Sequence, residues 1–155
     1  MTDPDRLLGS ESLGDAADRL NRVVAPASIV RGWATVDLDR AMAESAAAHP
    51  APGGLRVAPA SDDLILGGRC RLLRYAAGRD VLLLEPSTEG RLAAALARYG
   101  EGTVVLYLIG DAGAAERARR AGFRLTTTGS GPFGAERLVL IGPRYGPFLV
   151  LVEAG

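Results

Sequence analysis

Residues 87–110 read STEGRLAAALARYGEGTVVLYLIG, and this stretch decides the fold. Its first part, STEGRLAAALARYGEG, predicts a helix with Ser87 or Thr88 as its cap, good helix formers inside it and Gly100 at its end. Its second part, TVVLYLIG, is an apolar run that follows glycine and predicts a strand. The stretch therefore predicts a helix-to-strand junction in the middle of the chain.

On the N-terminal side, the sequence predicts a strand, a helix and then several more strands. IVRGWATV (29–36) predicts the first strand. DLDRAMAESAAAH (37–49) predicts the helix, with Asp37 as N-cap, Asp39 in the first turn and Pro50 as its stop. Short apolar runs follow at LRVA, DLILG, RCRLLRY and DVLLLE, separated by turn residues. This half of the chain reads βαβββ.

On the C-terminal side, the same order returns. TVVLYLIG is followed by DAGAAERARRAGF, a predicted helix capped by Asp111 and closed by Gly122, and then by strands at RLTTTG, ERLVLIG and GPFLVLVE. We therefore predict an internal duplication of βαβββ units over residues 29–86 and 103–154 within one domain, 29–155. Residues 1–28 are predicted to be an extension with a possible short helix.

Composition limits the class of protein and its partners. A chain of 155 residues with 48% hydrophobic and 23% charged residues is typical of one globular domain. Because 18 Lys+Arg balance 18 Asp+Glu, we expect neither nucleic acid nor a membrane as a partner. The lone Cys70 excludes an intramolecular disulfide, and MTDPDRLLGS does not resemble a signal peptide. We expect a cytoplasmic protein.

The order βαβββ, helix, βαβββ resembles the vicinal oxygen chelate superfamily, which includes glyoxalase I, methylmalonyl-CoA epimerase, extradiol dioxygenases and bleomycin-binding resistance proteins. The passages similar to the epimerase type are WATVDLDRA (33–41), LLLEPSTEGRLAAALARYGEG (82–102) and FLVLVE (148–153). The resemblance implies an α+β fold whose two units form a curved mixed sheet around a cleft. It also implies that such units pair within or between chains to complete the cleft. We predict a homodimer, because a closing strand as apolar as FLVLV would leave an edge and a face exposed on an isolated chain.

Metal-dependent members of this superfamily take two ligands from each half of the chain. The resemblance aligns those four positions with Val30, Leu82, Val105 and Val150, which are all aliphatic. Neither His49, at a helix end, nor Cys70 has a cluster of ligands around it, and we expect Asp62 and Asp63 to form a solvated turn. We predict no transition metal and no cofactor.

The resemblance also implies which strand faces line the cleft. Along 103–110, Thr103, Val105 and Tyr107 would face the cleft, while Val104, Leu106 and Leu108 would pack beneath helices. The same parity places further residues on the inner surface: Val30, Gly32, Ala34, Leu82, Leu84, Phe148, Val150 and Val152. This apolar floor suits a largely hydrophobic ligand held by a few polar groups.

Three polar residues are the candidate catalytic groups, and each has a structural alternative. Tyr107 can donate a hydrogen bond to a carbonyl or enolate oxygen, or pack as a core tyrosine. Glu101, between glycines, can act as an acid or base, or bind turn amides. Arg124, with Thr126 and Thr128, can bind an anion, or face solvent.

The remaining reactive side chains have equally ordinary alternatives. Arg69 and Arg71 can lower the pKa of Cys70 and make it a nucleophile, but burial is the commoner fate of a free cysteine. Glu85, Glu136 and Arg137 are open to both functional and structural interpretations. Glu153 has the wrong parity to face the cleft.

Two classes of function fit these residues. The first is a metal-independent isomerase, cyclase or lyase acting on a largely hydrophobic, carbonyl-containing metabolite, with Tyr107, Glu101 and Arg124 as acid, base and anion contact. The second is a non-catalytic binder similar to the antibiotic-sequestering proteins of the superfamily. The predicted substrate-binding residues are Val30, Gly32, Leu82, Leu84, Val105, Thr126, Phe148 and Val150. Fold alone does not separate the two classes.

Overall fold

The structure, a computed structural model, describes residues 13–50, 53–76, 78–141 and 146–153. The helices of this part are α1 (Leu13–Val24), α2 (Leu38–Ala48), α3 (Arg91–Tyr99) and α4 (Ala114–Arg120). The strands are β1 (Ser28–Ala34), β2 (Leu55–Asp63), β3 (Gly68–Tyr75), β4 (Asp80–Pro86), β5 (Gly102–Gly110), β6 (Gly129–Gly131), β7 (Gly134–Val139) and β8 (Phe148–Glu153). The N-terminal 12 residues of the predicted extension lie outside the described residues.

The strands form one mixed sheet in the order β2-β3-β4-β1-β5-β8-β7-β6. β1 runs parallel to β4 and β5 runs parallel to β8, while β1 and β5 join the two halves as an antiparallel pair. The end strands approach each other, and the Leu64 amide donates to the Ser130 carbonyl at 3.0 Å. The sheet is therefore curved and nearly closed, and the predicted α+β fold class is confirmed.

The helix caps show where local sequence decides the structure. Asp37 is the N-cap of α2, as predicted, because its side chain accepts from the Arg40 amide at 3.0 Å. α3 begins later than predicted, with Gly90 at its N-cap position, so the assignment of Ser87 or Thr88 as cap is wrong. The Ser87 amide instead donates to the Gly67 carbonyl at 3.0 Å, which ties this segment to another loop.

The fourth helix is also shorter than predicted. Gly113, not Asp111, is the N-cap residue of α4. Asp111 Oδ1 accepts from the Gly113 amide and from Arg117, both at 2.9 Å, so it stabilises the turn before the helix. Gly122 follows the helix with a φ of +94°, a conformation that favours glycine.

Two predicted strands are wrong. In DLILG, Asp63 ends β2, and residues 64–67 form a turn that we call the cover turn. β2 is longer than the predicted LRVA and contains Pro59, which is tolerated because β2 is an end strand of the sheet. RLTTTG forms only an isolated bridge from Leu125 to Val139 and supplies the first residue of β6, Gly129.

Helices cover parts of the outer face of the sheet. α2 packs on β3 and β4 through a cluster that includes Leu38, Leu73 and Leu83. α1 and α4 pack on β5 and β8 in a second cluster, in which Leu20 and Val24 of α1 are fully buried. α1 therefore contributes to the core of the described fold.

The closing strand does not lie at an edge. β8 is hydrogen-bonded between β5 and β7, and the end strands are β2 and β6. The argument that FLVLV would expose an edge is therefore wrong. Among the described residues, no helix combines the length and the apolarity that a membrane span requires.

Candidate functional site

The four predicted ligand positions occupy equivalent places in the two halves. Leu82 pairs with Gly32, two residues after Val30 in β1. In the second half, Val150 pairs with Tyr107, two residues after Val105 in β5. In each half, the second ligand position pairs with the residue two places after the first ligand position. A duplicated unit requires this agreement, which supports the alignment of all four positions.

These four positions do not fit a metal ion. Val30, Leu82, Val105 and Val150 belong to one packed cluster inside the sheet and are 6%, 0%, 1% and 0% exposed. Their side chains carry no donor atom, whereas a structural or catalytic metal needs several converging ligands. Across the described part of the chain, no three His, Cys, Asp or Glu side chains group as a metal site would require.

The inner face is more densely packed than an open cleft. Leu84, Phe148 and Val152 join the same cluster, together with Ala34. Gly32 is needed there, because a Cβ on it would collide with Val105 and would lie 2.9 Å from Leu84 Cδ1. The predicted apolar floor thus exists as a filled interior, and its use as a binding surface stays a prediction.

A bulge changes the predicted parity of β5. The β1–β5 register shifts between Gly32, which pairs with Val105, and Trp33, which pairs with Thr103. The skipped Val104 joins the inner cluster and Thr103 is exposed, so both of those placements are wrong. Beyond the bulge, Leu106 and Leu108 pack with α1 and α4, as predicted.

Polar side chains meet at one place in this apolar interior. Asp63, at the end of β2, is fully buried, so its predicted place in a solvated turn is wrong, whereas Asp62 is exposed. Tyr107 donates its hydroxyl proton to Asp63 Oδ2 at 2.6 Å, and the Leu66 amide donates to Asp63 Oδ1 at 2.8 Å. Burial and the Asp63 carboxylate raise the pKa of Tyr107 well above its usual value.

Glu136 completes this group, which we call the Asp63–Tyr107–Glu136 site. It is 1% exposed, and neither of its carboxyl oxygens receives a hydrogen bond from the described residues. Burial raises the pKa of Glu136 to about 9, and the charge of the neighbouring Asp63 acts in the same direction.

The neighbouring thiol is not activated. Cys70 is buried, and desolvation, followed by the charge of Asp63, raises its pKa to about 12. The hypothesis that Arg69 and Arg71 lower this pKa is therefore wrong. A thiol with such a pKa carries almost no thiolate near neutral pH.

The other predicted catalytic residues lie elsewhere and share no partner with Tyr107. Glu101 accepts hydrogen bonds from Thr35, from the Val36 amide at 3.0 Å and from Arg40 at 2.7 Å. The Thr35 hydroxyl and the Val36 amide are the main causes that lower the pKa of Glu101. Arg124 is exposed, and its carbonyl accepts from the Leu140 amide.

Several remaining candidates have structural partners. Thr126 Oγ1 accepts from the Leu138 amide at 2.9 Å, whereas Thr128 is exposed. Glu85 accepts from the Leu38 amide at 2.7 Å and pairs with Arg69. Arg137 and Glu153 form an ion pair at 3.6 Å.

Two cavities are lined by residues other than Asp63, Tyr107 and Glu136. One of about 700 Å³ is lined by residues that include Arg31, His49 and Tyr75. The other, of about 560 Å³, lies between the cover turn and the start of α3, with Leu66, Thr88 and Arg91 in its wall. Neither is lined by Tyr107 or Glu136.

Comparisons with solved structures identify the fold. The chain is similar to methylmalonyl-CoA epimerase from Mycobacterium tuberculosis, with a TM-score of 0.66 and 25% identity over 81% of this chain and 86% of that one. The protein has the vicinal oxygen chelate fold. This vicinal oxygen chelate protein is also similar to hypothetical protein BH1468 from Bacillus halodurans C-125, with a TM-score of 0.65 and 16% identity over 81% of this chain and 92% of that one.

A third solved structure shares the fold over about half of its own length. A mutant 4-hydroxymandelate synthase from Streptomyces coelicolor matches with a TM-score of 0.55 and 13% identity, covering 81% of this chain and 47% of that one. The sequence matches no family model. It also matches no curated protein.

Sequence reasoning missed Asp63 as a buried group and left Glu136 undecided. A signal for Glu136 was present, because it has the same strand parity as the buried Leu138 in ERLVL. No comparable signal marks Asp63, whose neighbours Asp62 and Leu64 are both exposed. Its burial follows from the contact with Tyr107, 44 residues away.

Proposed function

We propose that this vicinal oxygen chelate protein binds a largely hydrophobic, carbonyl-containing small molecule and transforms it without a metal, as an isomerase, cyclase or lyase. The observation that carries the proposal is the packed aliphatic set Val30, Leu82, Val105 and Val150 at the superfamily's ligand positions. The fold provides a curved sheet around an interior, and its ligand positions carry no group that could coordinate a metal. What remains for recognition is apolar surface with a few polar groups.

The polar groups favour an isomerase among these reactions. An interior that holds a tyrosine hydroxyl, a carboxylate and a carboxyl with a raised pKa suits proton transfer next to a carbonyl group. The similar M. tuberculosis protein is named as an epimerase, and its 25% identity makes it a reasonable guide to reaction type. Tyr107, predicted as catalytic, belongs to this set, while Glu101 is occupied by Thr35, Val36 and Arg40.

A non-catalytic binder is the second candidate, favoured by the near-complete burial of the interior side chains. An apolar ligand that displaces such packing is held by burial alone and needs no reacting group. The two candidates differ in the fate of the ligand, since an enzyme releases a changed molecule and a sequestering protein releases the same one.

The proposal is tested by metal analysis and native mass spectrometry of the purified protein. We expect much less than one equivalent of Zn, Co, Ni, Mn or Fe per chain, no loss of folding with a chelator, and an apolar carbonyl compound among co-purified molecules. One bound equivalent of metal per chain would contradict the alignment of the four aliphatic positions, because none of them can coordinate. A co-purified molecule that is returned unchanged after prolonged incubation would favour the binder.

A second copy of this chain is also proposed as a partner, and a cytoplasmic location remains an expectation. The support for a homodimer is the family resemblance together with exposed apolar side chains on the outer face of β1, where Ile29 and Trp33 are 49% and 42% exposed. Light scattering should then give about twice the chain mass of 16.1 kDa. A mass of one chain at micromolar concentration would contradict the homodimer.

A further inference from the structure

The cavity of about 700 Å³, which we call the outer cavity, opens on the face of the sheet opposite the apolar interior. In β1, Val30 belongs to the inner cluster, so alternation along the strand places Ile29 and Arg31 on the outer face. Val81 of β4, which pairs with Arg31, packs in the outer cluster beneath α2. The outer cavity is therefore distinct from the interior that the superfamily's ligand positions line.

Strand pairing brings two arginines to this cavity. Arg31 pairs with Val81, and Arg79 precedes Val81 by two residues, so both arginines have the outer-face parity. The Tyr75 amide donates to the Arg79 carbonyl at 3.1 Å and fixes the backbone of Arg79 beside the end of β3. Diagonal neighbours on adjacent strands are about 7–8 Å apart, so two long arginine side chains can reach one ligand.

The outer cavity carries a net positive charge. Arg31 and Arg79 are exposed, and neither forms an ion pair with a carboxylate of the described residues. Asp80 is the one acidic residue among the described lining residues. The C-terminal end of α2, at His49, adds about half a negative charge. Two guanidinium charges exceed the sum of these opposing charges, so the outer cavity favours an anion.

Aromatic and aliphatic side chains form the walls of the outer cavity. The His49 and Tyr75 rings meet edge-on, with 4.7 Å between their centroids. His49 Nδ1 lies 3.0 Å from the Ser45 carbonyl oxygen, which can only accept, so Nδ1 donates its proton there. Ile29 and Val81 add aliphatic surface. A ligand therefore meets flat apolar surface next to the two positive charges.

Backbone hydrogen bonds hold these walls in place before any ligand binds. The His49 amide donates to the Ala46 carbonyl at 3.2 Å and closes the end of α2. The Gly78 amide donates to the Tyr75 carbonyl at 2.9 Å and fixes the turn after β3. Only the two arginine side chains must become ordered, which limits the entropy lost on binding.

We propose that the outer cavity binds an aromatic monocarboxylate, with the carboxylate between Arg31 and Arg79 and the ring against Tyr75 and His49. The planar guanidinium group matches a carboxylate through two parallel hydrogen bonds. The volume of about 700 Å³ lies within the range of about 300–1,000 Å³ that small-molecule sites occupy. Asp80 disfavours ligands that carry several negative charges. This inference goes beyond the proposed function, because it concerns the other face of the sheet.

Calorimetric titration of the full chain with 2-naphthoate and with the neutral 2-naphthamide tests the role of the arginines. Naphthoate should bind at least about tenfold more tightly than the amide, and added salt should weaken naphthoate alone. Arg31→Gln and Arg79→Gln should each weaken naphthoate by about fivefold or more. Arg56→Gln, at an exposed arginine of β2 that lines neither described cavity, is the control and should match the wild type.

A second variant tests the place of the carboxylate without removing either arginine. Ile29 is 49% exposed, so a polar side chain there leaves the core intact. Ile29→Glu places a carboxylate beside the two arginines and should weaken naphthoate at least as much as Arg31→Gln. Ile29→Gln, which has nearly the same shape without the charge, should weaken it much less. Circular dichroism of each variant shows whether it is folded.

The contrary outcomes are equally specific. Equal affinities for naphthoate and naphthamide would overturn the site, as would equal naphthoate affinities for folded Arg31→Gln, Arg79→Gln and Arg56→Gln. Absence of naphthoate binding to a chain that scatters light as a monomer would also overturn it. Absence of binding to a chain of twice the mass would mean that a second copy covers the outer cavity, which would overturn the site and leave the homodimer intact. None of these outcomes bears on the proposed function, which concerns the interior.

Discussion

Replacing the buried acid Glu136 by glutamine should change how stability depends on pH. Burial and Asp63 raise the pKa of Glu136 from 4.5 to about 9. Between these values the folded chain binds one proton at this position and the unfolded chain binds none. Stability therefore falls as pH rises through this interval. The contribution of this proton to stability is fully present only below the unfolded pKa. Glu136→Gln removes the ionisable group from this position.

The size of the effect follows from the proton difference. One proton bound only in the folded state lowers the free energy of unfolding by about 1.4 kcal/mol per pH unit. From pH 5 to pH 8 the wild type should lose about 4 kcal/mol from this source. At pH 7 the folded wild type carries a cost of about 3 kcal/mol for keeping the proton, which Glu136→Gln avoids.

Urea denaturation at pH 5, 6, 7 and 8 measures the loss of stability with pH and the difference in stability between the two proteins at pH 7. The wild type should lose stability across the series, and Glu136→Gln should show a much smaller loss and a higher stability at pH 7. Glu101→Gln, at an exposed carboxylate, should retain the wild-type slope. Equal slopes for the wild type and Glu136→Gln would refute the assignment of the bound proton to Glu136.

Three further predictions concern the core, a helix cap and the thiol. Gly32→Ala should lower the free energy of unfolding by about 1–3 kcal/mol in chemical denaturation, because the new Cβ meets Val105 and Leu84. The control is Gly102→Ala, whose Cβ meets no atom within 4 Å. Equal losses for the two variants would mean that the interior is not packed as described. Asp37→Ala should cost about 1 kcal/mol by removing the cap of α2, more than Asp39→Ala, and the reverse order would contradict the capping role. Cys70 should react with Ellman's reagent only when the chain unfolds, since its pKa is about 12, and rapid labelling of the folded protein would disagree with its burial.

Local rules predicted the elements that are stabilised by near neighbours in sequence. Asp37 accepts a hydrogen bond from the amide three residues later, so the start of α2 was predicted correctly. The order of the two βαβββ units was also correct, because hydrophobic runs and turn residues recur in both halves. The duplication also explains why the two halves place their ligand positions alike, Val30 with Leu82 in the first half and Val105 with Val150 in the second.

Contacts between distant residues decided the features that the sequence did not predict. The start of α3 depends on a hydrogen bond from Ser87 to Gly67, and the turn after Asp63 depends on a bond from Leu64 to Ser130. The bulge at Val104 shifts one residue from one face of the sheet to the other. A prediction that assumes strictly alternating residues along the strand cannot show this shift. Asp63 is buried by its contact with Tyr107, so its acidic sequence neighbourhood was misleading.

The hydrogen bond from the Leu64 amide to Ser130 makes one backbone proton a reporter of access to the interior. A protected amide exchanges with solvent deuterium only when its bond opens, so the Leu64 amide measures how often the two ends of the sheet separate. Amides in the central strands β1 and β5 should exchange only on global unfolding. The opening free energy of the Leu64 amide is the cost of separating the two ends of the sheet, and it can be measured before any ligand is known.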